Sequence, residues 1–295
     1  VESLEKQTID GGEYVTAHVK TPGTPALQAL SKALPELIGG IKFVKSMRWN
    51  HTNVQFSRPI RWITAMLGGA LIPFEYAEIP ACNQTRGTRP EGSPALRIND
   101  AAHYLTTLAE RGIILSHEAR REKIWTDAQQ LAAEVGGVLI RDESLLAEVA
   151  NLVEQPTALR GTFDSKFLDL PLEVLVTVMR KHQRYFAVTA PDGKLLPYFI
   201  AIRNGGSQHL DEVIKGNEHV LIARFSDADF FFRDDRQHKL IDFLPRLQTL
   251  IVQDKLGSMY DKNTRLVTLV TPLSSLLHLS DADQQIAHEV ARVAK

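Results

Sequence analysis

The stretch Tyr185-Phe186-Ala187-Val188-Thr189-Ala190-Pro191-Asp192-Gly193-Lys194-Leu195-Leu196-Pro197-Tyr198-Phe199-Ile200-Ala201-Ile202 carries the clearest structural signal in the chain. Two apolar and aromatic runs flank Pro191-Asp192-Gly193-Lys194. There proline presets φ, aspartate caps the turn through its side chain and glycine takes the left-handed position. This predicts a β-hairpin over 185–203. Around it the periodicity is helical. Leu170-Pro171 opens a helix whose face is Val174, Leu175, Val178 and Met179. After Asn204-Gly205-Gly206 helices are expected over 211–214, 218–236, 240–252, 256–277 and 281–295, with no strand signal beyond about 210.

Working toward the N-terminus, Gly11-Gly12 reads as a turn before a strand over 13–19. Thr24-Pro25 caps a helix that Pro35 interrupts and Gly39-Gly40 ends. Short β-like runs fill 41–72, and prolines and glycines punctuate 73–94. Asn99-Asp100 and Ser116 then cap two helices that end at Gly112 and at Gly136-Gly137. The second carries a narrow stripe of Ile124, Ala128, Leu131 and Val135. A further helix starts at Asp142 or Ser144 and stops before Pro156. The fold class is α+β: a mixed body with a β-hairpin, a helical-hairpin insertion and an all-helical C-terminal segment. The expected organisation is a body over 1–97, the insertion over 98–140, the rest of the body over 141–210 and a helical segment over 211–295. The chain starts at Val1 and stops within a helical pattern, so it reads as an internal piece of a longer protein.

Composition narrows the function classes. Of 295 residues, 44% are hydrophobic and 23% charged, the balance of a globular chain with a real core rather than a disordered one. One cysteine, Cys82, excludes a disulfide framework and a multi-thiolate metal site, and fits a cytoplasmic protein. No apolar run approaches a membrane span. Neither glycine-rich phosphate cradle is present, nor a His-Glu-x-x-His zinc helix, nor a Gly-x-Ser-x-Gly elbow. Asp227, Asp229, Asp234 and Asp235 alternate with Arg224, Arg233 and Arg236, the pattern of ion pairs along a helix rather than of a metal site. No catalytic constellation emerges.

Charge is uneven, however. With 34 basic against 35 acidic residues the net charge is −1, yet residues 41–61 hold Lys42, Lys45, Arg48, Arg58 and Arg61 and no acid, a local +5. Phe43, Trp49 and Phe56 are interleaved, Trp62 follows, and Arg86 and Arg89 extend the theme. Cations among flat rings suit RNA, whose phosphates pair with guanidinium groups and whose unstacked bases stack on rings. A second set is Arg180, Lys181 and Arg184 beside Tyr185, followed by Arg203, Lys215 and Arg224. The candidate nucleic-acid contacts are Lys45, Arg48, Trp49, Arg58, Arg61, Arg86, Arg89, Arg180, Lys181, Arg184, Tyr185, Arg203 and Arg224. For Trp49 and Tyr185, packing in the core competes with base stacking, and solvated surface charge is the competing reading of each cluster.

Ten short strings, in order, then carry a resemblance. They are Met47-Arg48-Trp49; Phe56-x-Arg58-Pro59-Ile60-Arg61-Trp62; Thr85-Arg86-Gly87; Val153-Glu154-x-Pro156-Thr157-Ala158-Leu159; Phe167-Leu168-x-Leu170-Pro171; His182-Gln183-x-Tyr185-Phe186; Asp192-Gly193-Lys194-Leu195-Leu196-Pro197-x-Phe199-Ile200; Gly216-Asn217-Glu218-x-Val220; Asp227-Ala228-x-Phe230-Phe231-Phe232; and Leu256-Gly257-x-x-x-Asp261-Lys262. The chain resembles the β subunit of bacterial glycyl-tRNA synthetase, the heterotetrameric class II type. The resemblance implies that glycine, ATP and magnesium bind on the α subunit and that β grips tRNA-Gly, with the α subunit and a second β as partners. It departs from the family at Thr88 and Pro90, where the usual loop reads Thr/Ile-Arg-Gly-His-Arg-Phe, and at Gln155, where tryptophan is common. Two other readings stand beside it: an assembly module of the synthetase, and a general nucleic-acid binder that holds RNA or DNA without sequence readout.

Overall fold

The computed structural model describes residues 1–295, which divide into two compact units. The first comprises 1–127, 142–158 and 202–208; the second comprises 128–141, 159–201 and 209–295. The fold is α+β, with small sheets between helices. The division cuts through the expected insertion. Ile124 and Ala128 of the expected stripe on the helix His117–Ala133 are fully buried, as is Ala132, while Leu131 and Val135 are half-buried.

In the first unit, Ser3–Ile9 and Gly12–His18 pair antiparallel, Ser3 opposite His18 and Ile9 opposite Gly12. Asp10 and Gly11 both take positive φ, 50° and 81°, as a two-residue hairpin turn requires. The helix Ala26–Gly40 runs through Pro35 instead of breaking there. Proline costs one intrahelical hydrogen bond and crowds the preceding turn, but the chain resumes and ends at the glycine pair. Residues 41–62 contain less strand than expected. One bridge joins Met47 and Phe56, closed by the Phe43 ring, which meets Phe56 edge-on at 4.6 Å. Ile63–Thr64 then pairs parallel with Ile79–Cys82, which pairs antiparallel with Glu75–Tyr76, and Gln84–Arg86 pairs with Ala95–Arg97. Leu96, Leu108 and Ile113 form a small core under the last hairpin. The helix Glu143–Leu152, capped by the Asp142 carboxylate, buries Leu145, Leu146, Val149 and Ala150.

The predicted hairpin forms the middle of a four-stranded sheet. Phe186–Thr189 and Leu195–Asn204 pair antiparallel, Phe186 opposite Ile200. Val138–Leu139 and Pro156–Thr162 complete the sheet. Its core joins Leu159, Phe163, Phe167, Leu175, Met179, Phe199, Leu221 and Phe225. The last two lie one turn apart on the helix Leu210–Asp235, a single 26-residue helix where the pattern suggested two. Phe225 meets Phe163 edge-on at 5.0 Å and Phe167 at 5.5 Å. Arg233 Nε donates to Asp229 on the same helix at 2.7 Å. Beyond 235 the chain is not all helical. Leu240–Thr249 is a 3-10 helix, and Ile251–Gln253 pairs with Gly257–Ser258 before the helices Met259–Leu276 and Asp281–Arg292. The short apolar run at 250–252 fits either period, and the left-handed Gly257 (φ 76°) resolves it as a strand pair.

Gly161 sits against the Phe199 ring so closely that an added Cβ would lie 2.2 Å from it. Gly161→Ala is expected to lower stability by about 1–3 kcal/mol through overpacking, read as a lower urea midpoint at unchanged slope.

Candidate nucleic-acid interface

Two irregular segments of the first unit converge. In the first, Ser57-Arg58-Pro59-Ile60-Arg61-Trp62 leaves the Met47–Phe56 bridge and enters the strand Ile63–Thr64. Pro59 fixes its own φ and restricts Arg58 to extended backbone. Ile60 is half-buried while Arg58, Arg61 and Trp62 stay exposed, the indole by 41%. The second segment links the strands Gln84–Arg86 and Ala95–Arg97. Its Thr85 and Thr88 are buried, and Arg86 and Arg89 face out. One turn, Arg89–Glu91, is closed by Gly92 N–H on Arg89 O at 2.9 Å with Gly92 left-handed. Arg86 steadies the loop by donating to Ser93 O.

Arg58, Pro59, Ile60, Arg61, Trp62 and Arg89 line one groove of about 400 Å³. No carboxylate lines it. Arg58 reaches only the carbonyl of its neighbour Ser57, at 3.4 Å, and no side-chain hydrogen bond or ion pair holds Arg61 or Arg89. Elsewhere arginines are neutralised: Arg121 meets Glu143, and Arg160 meets Glu134 at 2.7 Å. The groove thus gathers three guanidinium groups and a partly exposed ring in one place.

The Arg86–Arg89 loop is anchored from far along the chain. Asn204 Oδ1 accepts the backbone N–H of both Glu154 and Gln155 at 3.0 Å. Gly205 N–H donates to Gln155 O at 2.8 Å, and the Thr157 hydroxyl donates to Gly205 O at 2.6 Å. The Gln155 side-chain oxygen lies 3.5 Å from the Thr88 hydroxyl, so two departures from the family pattern face each other. A Cβ on Gly205, whose φ is 129°, would meet Pro90 at 3.1 Å. Arg203 lies beside Gly205 and donates to Gln208 O.

The other sequence candidates fall elsewhere. Lys45, Arg48 and Trp49 belong to the bridge segment but do not line the groove; Arg48 donates to Asn53 O, and Trp49 is half-buried. Arg180, Lys181, Arg184 and Arg224 are exposed residues of the second unit. The first three surround a π-turn, Met179–Gln183, ended by Arg184 at φ 57°. Tyr185 is not a surface ring. It is 6% exposed, stacked on Phe199 at 4.6 Å, and donates to Asn217 Oδ1 at 2.6 Å. Core packing claims it, the competing reading of this residue, and it presents no free ring face. Trp62, absent from the candidate contacts, is the aromatic that lines the groove. Its signal was its position directly after Arg58-Pro59-Ile60-Arg61.

With this geometry in hand, comparison with known proteins is direct. A family model described as glycyl-tRNA synthetase beta subunit matches residues 1–295, and the chain belongs to that family. Among its relatives, the glycine–tRNA ligase beta subunit of Moorella thermoacetica is 40% identical over 295 residues, all of this chain and 42% of that protein. That of Geobacter sulfurreducens is 43% identical over 278 residues, 94% of this chain and 40% of that protein. The chloroplastic/mitochondrial glycine–tRNA ligase 2 of Arabidopsis thaliana is 41% identical over 294 residues, 100% of this chain and 27% of that protein. The chain thus spans less than half the length of these curated relatives. No helix is long and apolar enough to cross a membrane.

Burial pushes the Tyr185 phenol up to about 12. Because the folded value lies above the ordinary one near 10, the neutral hydroxyl favours folding. That contribution is complete below pH about 10 and is lost as pH rises through about 12. Tyr185→Phe is expected to flatten the loss of stability over that window in urea titrations. At neutral pH it should cost about 1 kcal/mol for the lost bond to Asn217.

Proposed function

We propose that this chain is the tRNA-gripping part of a glycine–tRNA ligase β subunit. In this reading it holds tRNA-Gly in the cytoplasm while glycine is activated and transferred at a site on the α subunit, where ATP and magnesium are bound. The observation that carries the reading is the groove of Arg58, Arg61 and Arg89, whose charges face no carboxylate. Such charges lower their mutual repulsion by taking up phosphates and releasing counterions. Arg86 and Arg203 extend the same basic loop cluster. Contacts to phosphate position a nucleic acid without reading its sequence, so preference for tRNA-Gly over other RNA or DNA comes from elsewhere in the ligase.

An assembly role has its own support. Leu269, Leu273 and Leu276 share one face of the helix Met259–Leu276, and Ile286 and Val290 share one of Asp281–Arg292, each more than half exposed. An apolar stripe of this size suits a protein partner, either the α subunit or a second β. Glutamate at Leu273 and Val290 together is expected to lower the mass of the assembled ligase in light scattering if this face is such an interface.

For the RNA reading, Arg58→Ala, Arg61→Ala and Arg89→Ala in the whole ligase are each expected to weaken tRNA-Gly binding. Each should reduce the slope of log affinity against log salt by about one unit. A triple substitution that leaves affinity and slope unchanged in a salt titration would remove the groove from the interface.

A further inference from the structure

We infer that the groove receives an unpaired nucleotide of the RNA, its base against the face of Trp62 and its phosphates on Arg58, Arg61 and Arg89; this rests on the RNA-binding reading above. Three observations support it. First, Trp62 is 41% exposed in a wall otherwise made of arginine, proline and isoleucine, and no ring or cation of the protein stacks on it. A partly exposed aromatic ring beside unpaired cations is the arrangement that captures a base together with its phosphate.

Second, the space is of the wrong kind for a duplex. About 400 Å³, open on one side, is room for a small organic group. A helix of RNA presents phosphates and a wide, shallow minor groove while its base faces remain hidden in the stack. A duplex could therefore engage the arginines but would leave the cavity empty and the indole idle. A nucleotide turned out of a loop, a bulge or a strand end fills both.

Third, the cations do not stop at the groove. Arg86 lies on the same loop as Arg89, and Arg203 packs beside Gly205, which itself abuts Pro90. These supply contacts for flanking phosphates, which a strand has and a free mononucleotide lacks. The occupant is thus one nucleotide within a strand and not a soluble nucleotide.

The test compares the whole ligase with its Trp62→Ala, Trp62→Phe and Arg61→Ala/Arg89→Ala variants. Fluorescence anisotropy measures binding of labelled tRNA-Gly, a short single-stranded oligouridylate, a blunt RNA duplex and uridine monophosphate. Trp62→Ala is expected to weaken oligouridylate about tenfold or more, in line with the loss of one base–aromatic stack, and to spare the duplex. Trp62→Phe should recover most of the loss, and the mononucleotide should bind far more weakly than the strand. The arginine pair should weaken tRNA, strand and duplex alike. If Trp62→Ala leaves the oligouridylate unaffected, or weakens strand and duplex equally while Trp62→Phe does the same, the unpaired-nucleotide assignment is overturned. A mononucleotide that binds as well as the strand overturns the claim of a polymeric occupant. Unchanged tRNA affinity in the arginine pair overturns the RNA-binding reading itself, a result separable from failure of the Trp62 arm.

Discussion

One carboxamide oxygen fixes the geometry on which the basic loop depends. The helix Glu143–Leu152 has ended and Pro156 is about to remove a donor, so the amides of Glu154 and Gln155 have no helical partners. Asn204 Oδ1 accepts both at 3.0 Å. The bonds from Gly205 to Gln155 and from Thr157 to Gly205 then close the contact along both strands of chain. Each hydrogen bond to Asn204 Oδ1 adds about 0.5–1.5 kcal/mol, and the two share one acceptor at this crossing. The loop bearing Arg86 and Arg89 rests on it through Thr88 and Pro90. A long arginine side chain is useful for recognition only where its backbone does not wander.

What separates the groove from ordinary surface charge is partnership rather than number. Lys123 reaches Asp127 one turn away, Arg160 reaches Glu134, and Arg233 reaches Asp229, so each contributes little to the outer field. Arg120 is consumed differently: its guanidinium donates to the carbonyls of Ala150, Ile114 and Leu115 and acts as a structural clasp. Arg61 and Arg89 do neither. In a protein of net charge −1, their field is local and is focused by the walls of the groove.

The sequence made the hairpin legible because its cause is local: Pro191-Asp192-Gly193 closes the turn, and the flanking residues are strand formers. The strand Pro156–Thr162 was not legible. It contains Arg160 and Gly161, poor strand residues by themselves, and the reason for Gly161 is the Phe199 ring, 38 positions away. The expected interruption at Pro35 and the expected helix over 240–252 failed for the same reason, since local rules rank alternatives that packing then chooses between. Basic residues could be counted in advance. Whether each had a partner could not, because Glu134 and Arg160, or Thr88 and Gln155, become neighbours only once the chain has folded.

Tyr185 and Trp62 make the same point at the level of one residue. Each is an aromatic directly following an arginine, and sequence context alone favours neither. Arg184 takes a left-handed conformation at the end of a π-turn, and the chain that follows enters a fully buried strand, so the next ring is delivered onto Phe199. Trp62 follows a proline-held extended segment and enters a two-residue strand whose residues are only half-buried. Trp62 itself stays 41% exposed. The backbone state of the preceding residues decides which aromatic is spent on the core and which remains free to face a ligand. Both rings lie beside cations in sequence; only Trp62 shares an open groove with them.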